Sequence, residues 1–332
     1  MGKVSLKILA KELGVSVATV SLVLTGKNGN GRVSKEMSKK IQDKAKELNY
    51  APNNLAQGLK MGKSKAIGLI VADISNSFFG TLALHIQNYA QQKGYTVIIG
   101  NTNEQLSEME RMIHILKSRQ VDGLIMTPTE ASEDLILKLE KEKIPLVLVD
   151  RAFPTINTNR ILINNYEISR KATQELIRRG CKNIALLTYK EDHFHINERK
   201  RGWLDTLKEA KMYKPENVKK VKYGELEKDV DQAIAQLLMQ EDRIDGIFFV
   251  TNSISILGVK SLYKRKVKVQ EDLQILCFDQ SDLFDLLPYS IPYIEQPIEL
   301  MAKKSADLII EHIEGKEKEV EVHILEAELV LK

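Results

Sequence analysis

The sequence predicts an α/β protein with an N-terminal all-α helix-turn-helix head and a two-lobed body of doubly wound parallel sheets. Two patterns predict this fold class. Only helical patterns occur before Ala66, whereas short aliphatic and β-branched runs alternate with helical stretches from Ala66 onward. Such alternation is typical of parallel sheets covered by helices on both faces. About ten candidate strands are too many for one compact sheet of this kind, so we expect two similar lobes with a cleft between them.

Three helical patterns make up the head. Ser5 is a candidate N-cap for the first, LKILAKEL, which ends at Gly14 because glycine readily takes left-handed backbone. Ser16 is a candidate cap for the second, VATVSLVL, and Ser34 precedes the third, KEMSKKIQDKAKELNY. Apolar residues of the third pattern share one face: Met37, Ile41, Ala45 and Leu48.

The first two helices fit a helix-turn-helix. Ala10 is small where two helices would cross, Gly14 permits the turn, and Val20 would pack between the helices. The second helix would then lie in the major groove of DNA, with its N-terminus near phosphates. An ordinary helical hairpin is the alternative, but the basic charge of this segment favours DNA. The candidate DNA contacts of the head are Ser5, Ser16, Val17, Ala18, Thr19, Ser21 and Leu22.

Charge is distributed unevenly along the chain. Residues 1–65 hold 13 Lys and Arg against 4 Asp and Glu, a net charge of +9. The whole chain carries +4, so the remaining residues carry −5. A basic head on an acidic body indicates a polyanionic partner for the head.

The stretch GLKMGKS, from Gly58 to Ser64, resembles a phosphate-binding loop but fails as one. Such a loop needs four residues between its glycines, and only three separate Gly58 from Gly62. It must also follow a strand and open a helix, whereas here a helical pattern comes first and the strand AIGLIVA follows. We therefore interpret this stretch as the junction between the head and the body.

The body alternates strand and helix patterns in chain order. The candidate strands are AIGLIVA, YTVIIG, DGLIMT, PLVLVD, NIALLT, DGIFFV and LQILCFD. The candidate helices are FGTLALHIQNYAQQKG, SEMERMIHILKSR, SEDLILKLEKEK, ISRKATQELIRRG, ERKRGWLDTLKEA, KDVDQAIAQLLMQ and SISILGVKSLYKR. The final residues, HILEAELVLK, are predicted to form one last strand of the body.

Composition excludes several classes of protein. Hydrophobic residues make up 43% of the 332 residues and charged residues 28%, as in a soluble globular protein. No apolar run reaches the length of a membrane span, and the lysine-rich start does not fit a secretory signal, so we expect a cytoplasmic protein without a membrane partner. Cys181 and Cys277 are predicted to be reduced core residues. No catalytic triad, carboxylate pair or cofactor loop is evident, so we expect neither catalysis nor a cofactor.

The chain resembles the LacI/GalR family of bacterial transcription regulators over essentially its whole length. The motifs that carry the resemblance are GVSVATVSLVLTG, VSKEMSKKIQDKAKELNYAPNNLAQGLKMGKS, IGLIVADISNSFFG, GYTVIIGNTNE, VDGLIM, PLVLVDR, ERKRGW and FDQSD. The resemblance implies a head, a hinge helix and a body like periplasmic sugar-binding proteins. The implied parts are a head at 1–50, a hinge at 51–64, an N-terminal lobe at 65–163 and 296–318, and a C-terminal lobe at 164–295 and 319–332.

The resemblance also implies a hinge helix in PNNLAQGLK. By position, Asn53 and Lys60 would touch DNA, Ala56 would pack in the minor groove, and Leu59 would be a wedge in the central base step. A helix this short is unstable alone in water. We therefore expect it to fold when two copies meet on DNA. The alternative is that Leu59 is a plain linker residue packed on the body.

Two departures from the family pattern leave the operator sequence open. Leu22 stands where many members carry arginine or histidine, and leucine can contact only an apolar base edge such as a thymine methyl. The stretch TGKNGNGRVS, between the second and third helices, is also longer than usual.

Polar residues that follow the candidate strands predict an effector cleft, because ligands of open parallel sheets bind beyond the carboxyl ends of the strands. This rule selects Asp73, Asp150 with Arg151, Thr251 with Asn252, and Asp279. Aromatic rings stack on apolar sugar faces and planar polar groups bind hydroxyls, so a sugar or sugar derivative is the expected effector. With the positions that the resemblance implies, the candidate effector contacts are Asp73, Phe78, Phe79, Asp150, His193, His195, Arg199, Asn252, Asp279 and Gln296.

Two of these candidates, His193 and His195, have more than one interpretation. One of them contacts the effector, or both are solvent-facing loop histidines, which is the default for such residues. Their spacing could suggest a metal site, but no HExxH motif or cysteine accompanies them. We therefore expect no metal.

The expected function is a DNA-binding repressor that binds a palindromic operator as a homodimer and is switched by a small molecule. One asymmetric head cannot read a palindrome, whereas two heads related by a two-fold axis can. An alternative is a sugar-binding receptor without DNA function, but that class predicts a signal peptide and no basic head. A sugar-converting enzyme on a two-lobed fold is a further alternative and would need a catalytic set.

Overall fold

A computed structural model describes residues 5–24, 31–48, 50, 63–316 and 319–331. The chain divides into two compact units, Met1–Ser64 and Lys65–Lys332. The helices of the first unit are α1 (Leu6–Leu13), α2 (Val17–Leu24) and α3 (Lys35–Glu47).

The head packs its three described helices around a small apolar core. Leu9, Val20 and Ile41, one from each helix, are fully buried. Ala10 is 4% exposed where α1 meets α2, as predicted. Lys44 of α3 also contacts Glu12 of α1, with 3.4 Å between Nζ and Oε2. The sequence pattern therefore predicted this unit correctly.

The turn between α1 and α2 depends on two residues. Gly14 ends α1 with φ of +63°, in the left-handed region that glycine enters without steric strain. Ser16 caps α2, because its Oγ accepts the backbone N–H of Thr19 at 3.0 Å. Ser5 is the N-cap residue of α1, as predicted, and has extended backbone, although its side chain makes no capping hydrogen bond.

The second unit alternates strands and helices. Its strands are β1 (Ala66–Val71), β2 (Thr96–Asn101), β3 (Gly123–Met126), β4 (Leu146–Val149), β5 (Asn159–Ile163), β6 (Ile184–Tyr189), β7 (Val218–Val221), β8 (Gly246–Phe249), β9 (Gln274–Phe278), β10 (Tyr293–Glu295), β11 (Val322–Leu325) and β12 (Glu328–Val330). Its helices are α4 (Ser77–Gln92), α5 (Leu106–Ser118), α6 (Glu133–Lys141), α7 (Asn165–Arg178), α8 (Phe194–Glu209), α9 (Leu226–Leu238), α10 (Asn252–Lys264), α11 (Asp282–Asp285) and α12 (Ile298–Ile313).

The strands form two six-stranded sheets of equivalent strand order, one in each lobe. The N-terminal sheet has the order β11-β5-β4-β3-β1-β2 and the C-terminal sheet has the order β12-β10-β9-β8-β6-β7. All pairs are parallel except β10 with β12. Central strands such as β4 and β8 bury every side chain, because helices cover both faces of each sheet.

The chain crosses between the lobes after β5, after β10 and between β11 and β12. The crossings are bonded together: Asn164, just after β5, accepts the backbone N–H of Ala327 at 2.9 Å and donates to Glu326. The assignment of all of 319–332 to the C-terminal lobe is therefore wrong, since Val322–Leu325 pairs with β5 in the N-terminal sheet. The predicted single final strand is two short strands in different sheets.

Cys181 and Cys277 are free and buried, as predicted. Within the described ranges, the helices fall short of the length and apolar character that a membrane span requires.

Candidate functional site

The carboxyl ends of the strands from both lobes meet at a cavity whose empty volume, including its mouth, is about 720 Å³. All ten candidate effector residues line it: Asp73, Phe78, Phe79, Asp150, His193, His195, Arg199, Asn252, Asp279 and Gln296. The further lining residues are Asn76, Glu104, Glu130, Arg151, Tyr189, Glu191, Ile196, Tyr223, Thr251 and Ser253.

Asp150 and Asp279 occupy equivalent positions, directly after β4 and β9 of the two sheets. Both are non-glycine residues with positive φ, +67° and +68°. Their backbone N–H groups still bond to the next strand, at 2.9 Å to the carbonyls of Ile161 and Ile294. The chain turns sharply at each aspartate, and such strained backbone is typical of ligand sites.

Three ionisable groups are buried together in the cavity. Burial raises the pKa of Asp150, and Arg151 and Arg199 oppose the shift. Burial raises the pKa of Asp279 to about 6 and lowers the pKa of Arg199 to about 10. Asp150, Asp279 and Arg199 are thus removed from water, yet among the described contacts Arg199 forms no direct salt bridge with either aspartate. Buried charged groups of this kind are frequent in binding sites.

Arg199 is held by neutral groups. Its Nε donates to Asn165 Oδ1 at 2.7 Å and its Nη1 donates to the carbonyl of Val250 at 2.8 Å. Its guanidinium carbon lies 3.4 Å from the centre of the Phe278 ring. The side chain is 2% exposed, so this stacking and these bonds fix it in one position at the wall of the cavity.

Arg151, by contrast, is paired with an acid. Its Nη1 and Nη2 donate to the two carboxylate oxygens of Glu104, both at 2.6 Å. Its Nε lies 3.7 Å from Asp150 Oδ2. Burial opposes its charge, yet the Glu104 carboxylate keeps the pKa of Arg151 above its ordinary value.

The default interpretation of His193 and His195 as solvent-facing loop residues is wrong. His195 lies in the first turn of α8 and is 4% exposed, and its ring centre is 5.6 Å from that of His193. Burial lowers the pKa of His193 to about 4 and lowers that of His195 well below its usual value. Both imidazoles are therefore neutral at pH 7, and His195 Nδ1 has no hydrogen-bond partner among the described atoms.

Direct contacts join the two lobes across the cavity. The Tyr223 hydroxyl, from the C-terminal lobe, donates to Asp73 Oδ2 at 3.0 Å. Asn76 Nδ2 donates to Ser253 Oγ at 3.3 Å. His193 Nε2 lies 3.8 Å from Glu104 Oε2. The lobes are thus closed on each other in this structure.

Apolar and amide groups complete the wall. The rings of Phe78 and Phe79 lie edge to face with centres 5.0 Å apart, and both are nearly buried at the start of α4. Gln296, at the crossing after β10, donates from Nε2 to Asp279 Oδ1 at 2.8 Å. Asn252 donates to the carbonyl of Gln280 at 3.2 Å. The cavity therefore combines rings with oriented hydrogen-bonding groups.

Sequence reasoning missed several lining residues that follow other strands. Glu104 comes shortly after β2, Tyr189 is the last residue of β6, and Tyr223 comes two residues after β7. The same rule about carboxyl ends of strands could have found them. It was not applied there because the sequence analysis did not recognise β7 as a strand and assigned no role to the residues at the ends of β2 and β6.

The head presents the predicted recognition residues at its surface. Val17 is 41% exposed. Ala18, Ser5 and Ser16 are exposed, and Thr19, Ser21 and Leu22 are partly exposed. Exposed cations of the same unit are Lys7, Lys11, Arg32, Lys35, Lys39, Lys40 and Lys46. The proposed hinge contacts Asn53, Ala56, Leu59 and Lys60 lie outside the described residues.

Comparison with known proteins decides the family. The profile described as periplasmic binding proteins and sugar binding domain of the LacI family matches residues 64–330, and that of bacterial regulatory proteins, lacI family, matches residues 5–53. The chain belongs to the LacI family. The resemblance inferred from the motifs is thereby confirmed, and this LacI-family chain is a DNA-binding transcriptional regulator.

Other members of the LacI family align with it from end to end. The ribose operon repressor of Halalkalibacterium halodurans is 31% identical over 99% of this chain and 96% of its own length. The transcriptional repressor PurR of Aliivibrio salmonicida is 27% identical over 99% of this chain and 98% of its own length. The lac repressor dimer bound to operator and the anti-inducer ONPF superposes with a TM-score of 0.86, at 20% identity, over 99% of this chain and 98% of that one. The last likeness shows a shared fold.

Proposed function

We propose that this regulator is a homodimeric repressor that binds a palindromic operator, and that a sugar or sugar derivative bound in the cleft changes its affinity for the operator. The observation that carries the proposal is the convergence of Asp150, Arg199 and Asp279, buried and without mutual salt bridges, on one cavity of a chain with a basic helix-turn-helix head. We propose that the cavity binds the effector and does not catalyse a reaction. We also infer that the protein acts in the cytoplasm, where the chromosome lies.

The cavity chemistry suits a polyol. Asp150 and Asp279 offer acceptors for hydroxyl protons, and Arg199 offers a donor for hydroxyl or ring oxygens. Phe78 and Phe79 offer apolar surface for the carbon face of a ring. The ribose operon repressor, a relative over almost its full length, is named for a sugar operon.

The head is proposed to read DNA through α2. Val17, Ala18, Ser21 and Leu22 would meet base edges in the major groove. Ser5, Ser16 and Thr19, near the starts of α1 and α2, would meet phosphates, and the exposed lysines would supply the electrostatic attraction. An apolar Leu22 favours a thymine methyl at its position.

Switching is proposed to run through the closure of the cleft. Bonds such as Tyr223–Asp73 and Asn76–Ser253 hold the lobes together, and an effector that bridges the lobes would change the angle between them. In a dimer, that change would move the two hinge segments, and with them Leu59 and its neighbours, together or apart at the operator centre.

Operator binding is expected to fall steeply with salt. If each dimer neutralises six or more phosphates, affinity should drop about 10³-fold between 50 and 200 mM salt, because bound counterions are released. Fluorescence anisotropy on a duplex selected from random sequences measures this, with a scrambled duplex as the control. A flat salt response, or a selected sequence without two-fold symmetry, would contradict the proposal.

Effector affinity is expected to rise with pH because of Asp279. Burial raises the pKa of Asp279 to about 6, and Arg199 opposes this shift. An effector hydroxyl that donates to the ionised carboxylate favours that form, so affinity should increase about tenfold from pH 5 to pH 7. The ligand-free protein shows the opposite linkage: the folded state holds this proton more tightly than the unfolded chain, so Asp279 costs stability as pH rises from about 4 through 6.

Isothermal titration calorimetry across this pH range measures the effect. Asp279→Asn should weaken binding and flatten the pH profile, whereas the control Asp282→Asn, which changes an exposed carboxylate three residues away, should preserve it. Wild-type affinity that does not vary between pH 5 and pH 7 would show that Asp279 does not accept a bond from the effector.

A further inference from the structure

The charged groups of the cleft indicate which class of sugar it takes. We propose that the cleft selects an uncharged sugar and rejects the corresponding sugar acid or sugar phosphate, because Glu104 already occupies Arg151 and the other buried acids face the ligand space. This inference rests on the proposed function, namely that the cleft binds a sugar-like effector.

The arginine that would best hold an acidic ligand is already occupied. An arginine binds a carboxylate or phosphate most strongly when two parallel N–H groups of its guanidinium donate to two oxygens of the ligand. Both terminal nitrogens of Arg151 are bonded in this way to Glu104, at 2.6 Å each. The Arg151 and Glu104 side chains are only 10% and 13% exposed. An acidic ligand would have to displace a buried carboxylate to reach this guanidinium.

The second arginine, Arg199, already has part of its guanidinium bonded to neutral acceptors of the protein. Arg199 already uses Nε for Asn165 and Nη1 for the carbonyl of Val250. Among the described contacts, Nη2 is the one nitrogen of Arg199 without a hydrogen bond, and Nη1 keeps a second N–H beside the one that it donates. Because Nε is already used, the adjacent N–H groups of Nε and Nη2 are not available as a pair to a carboxylate, and the remaining N–H groups suit separate hydroxyl or ring oxygens.

The remaining charges of the wall are negative. Asp150 and Asp279 are 4% and 8% exposed and line the cavity with Glu191 and Glu130. The histidines beside them, His193 and His195, have pKa values lowered by burial and contribute no positive charge at pH 7. An anionic group in this space would meet like charges at low dielectric, whereas hydroxyl groups would donate to them.

Isothermal titration calorimetry of the full-length protein with matched sugars tests the inference. The probes are ribose, glucose, galactose and xylose, each compared with its phosphate, and glucose and galactose also with glucuronate and galacturonate. At least one uncharged sugar should bind, and its acid or phosphate should bind at least tenfold more weakly. An acid or phosphate that binds as tightly as its uncharged parent, or more tightly, would overturn the inference and leave the effector function standing.

Glu104→Gln tests the cause. The glutamine amide can accept from Arg151 through its one oxygen only and removes the negative charge, so one terminal nitrogen of Arg151 is released. The affinity ratio of glucuronate to glucose, or of the pair that contains the binding sugar, should therefore shift at least tenfold towards the acid. The control Glu108→Gln makes the same change in a surface pair, Glu108 with Arg111 at 2.7 Å, and should leave the ratio unchanged. Equal melting temperatures verify folding.

An unchanged ratio in folded Glu104→Gln would overturn the role of this pair. Failure of every uncharged and acidic probe to bind the wild-type cleft would instead contradict the proposed effector function itself, and the inference with it.

Discussion

Replacing Arg199 by methionine is expected to abolish the effector response while operator binding persists. Arg199 is the buried donor between Asp150 and Asp279, and methionine fills its space without charge. Loss of two charge-assisted hydrogen bonds, about 1.5–3 kcal/mol each, should weaken effector binding at least 100-fold. Removing a cation that faces two buried acids should also lower the free energy of unfolding, because their charge is then less compensated.

The control for this prediction is Arg201→Met. Arg201 lies on the same helix, pairs at the surface with Glu198 and is more than half exposed. Calorimetry with the effector, followed by anisotropy on the operator, separates the two functions. An Arg199→Met protein that is folded and still binds the effector with wild-type affinity would contradict the assignment of this residue.

Replacing Leu9 by alanine is expected to abolish operator binding while effector binding persists. Leu9 is fully buried in the head, and removing a buried leucine side chain costs about 2–5 kcal/mol. A domain of this size has about 3–5 kcal/mol of stability in total, so much of the head should unfold. Operator affinity should then fall more than 100-fold.

The body is a separate compact unit, so its melting transition and its effector affinity should stay at wild-type values in Leu9→Ala. The matched control is Ile8→Ala on the same helix, since Ile8 is 44% exposed and its truncation leaves no buried cavity. Full operator affinity in Leu9→Ala, or a lowered melting temperature of the body, would contradict the assignment of operator binding to the head and effector binding to the body.

Local sequence patterns predicted most of the fold because central strands of parallel sheets are buried on both faces. Strands such as LVLV in β4 and GIFF in β8 therefore carry an unmistakable apolar run. Two of the edge strands gave no such signal: β7 is VKKV, and β11 is mostly exposed. Which sheet β11 joins is decided by its pairing with β5, whose residues lie about 160 positions away, so no local pattern could assign it.

The candidate site was predictable where its residues lie within two positions of the end of a central strand, as Asp73, Asp150 and Asp279 do. The pairing of Arg151 with Glu104 was not, because it joins the ends of two different strands through side-chain conformations that only the folded loops define. The burial of His195 was missed for a related reason, since α8 was predicted to begin at Glu198 whereas it begins at Phe194. A longer helix carries that histidine into the cavity.

The most direct test of the switching account measures operator affinity of the full-length protein by anisotropy, with and without a saturating sugar that binds the cleft. The account predicts a change of at least tenfold, and an equal change in sugar affinity when operator is added, because coupling between two sites is reciprocal. The Arg199→Met protein should show neither change. Sugar binding in the cleft with identical operator affinity in both states would contradict the account.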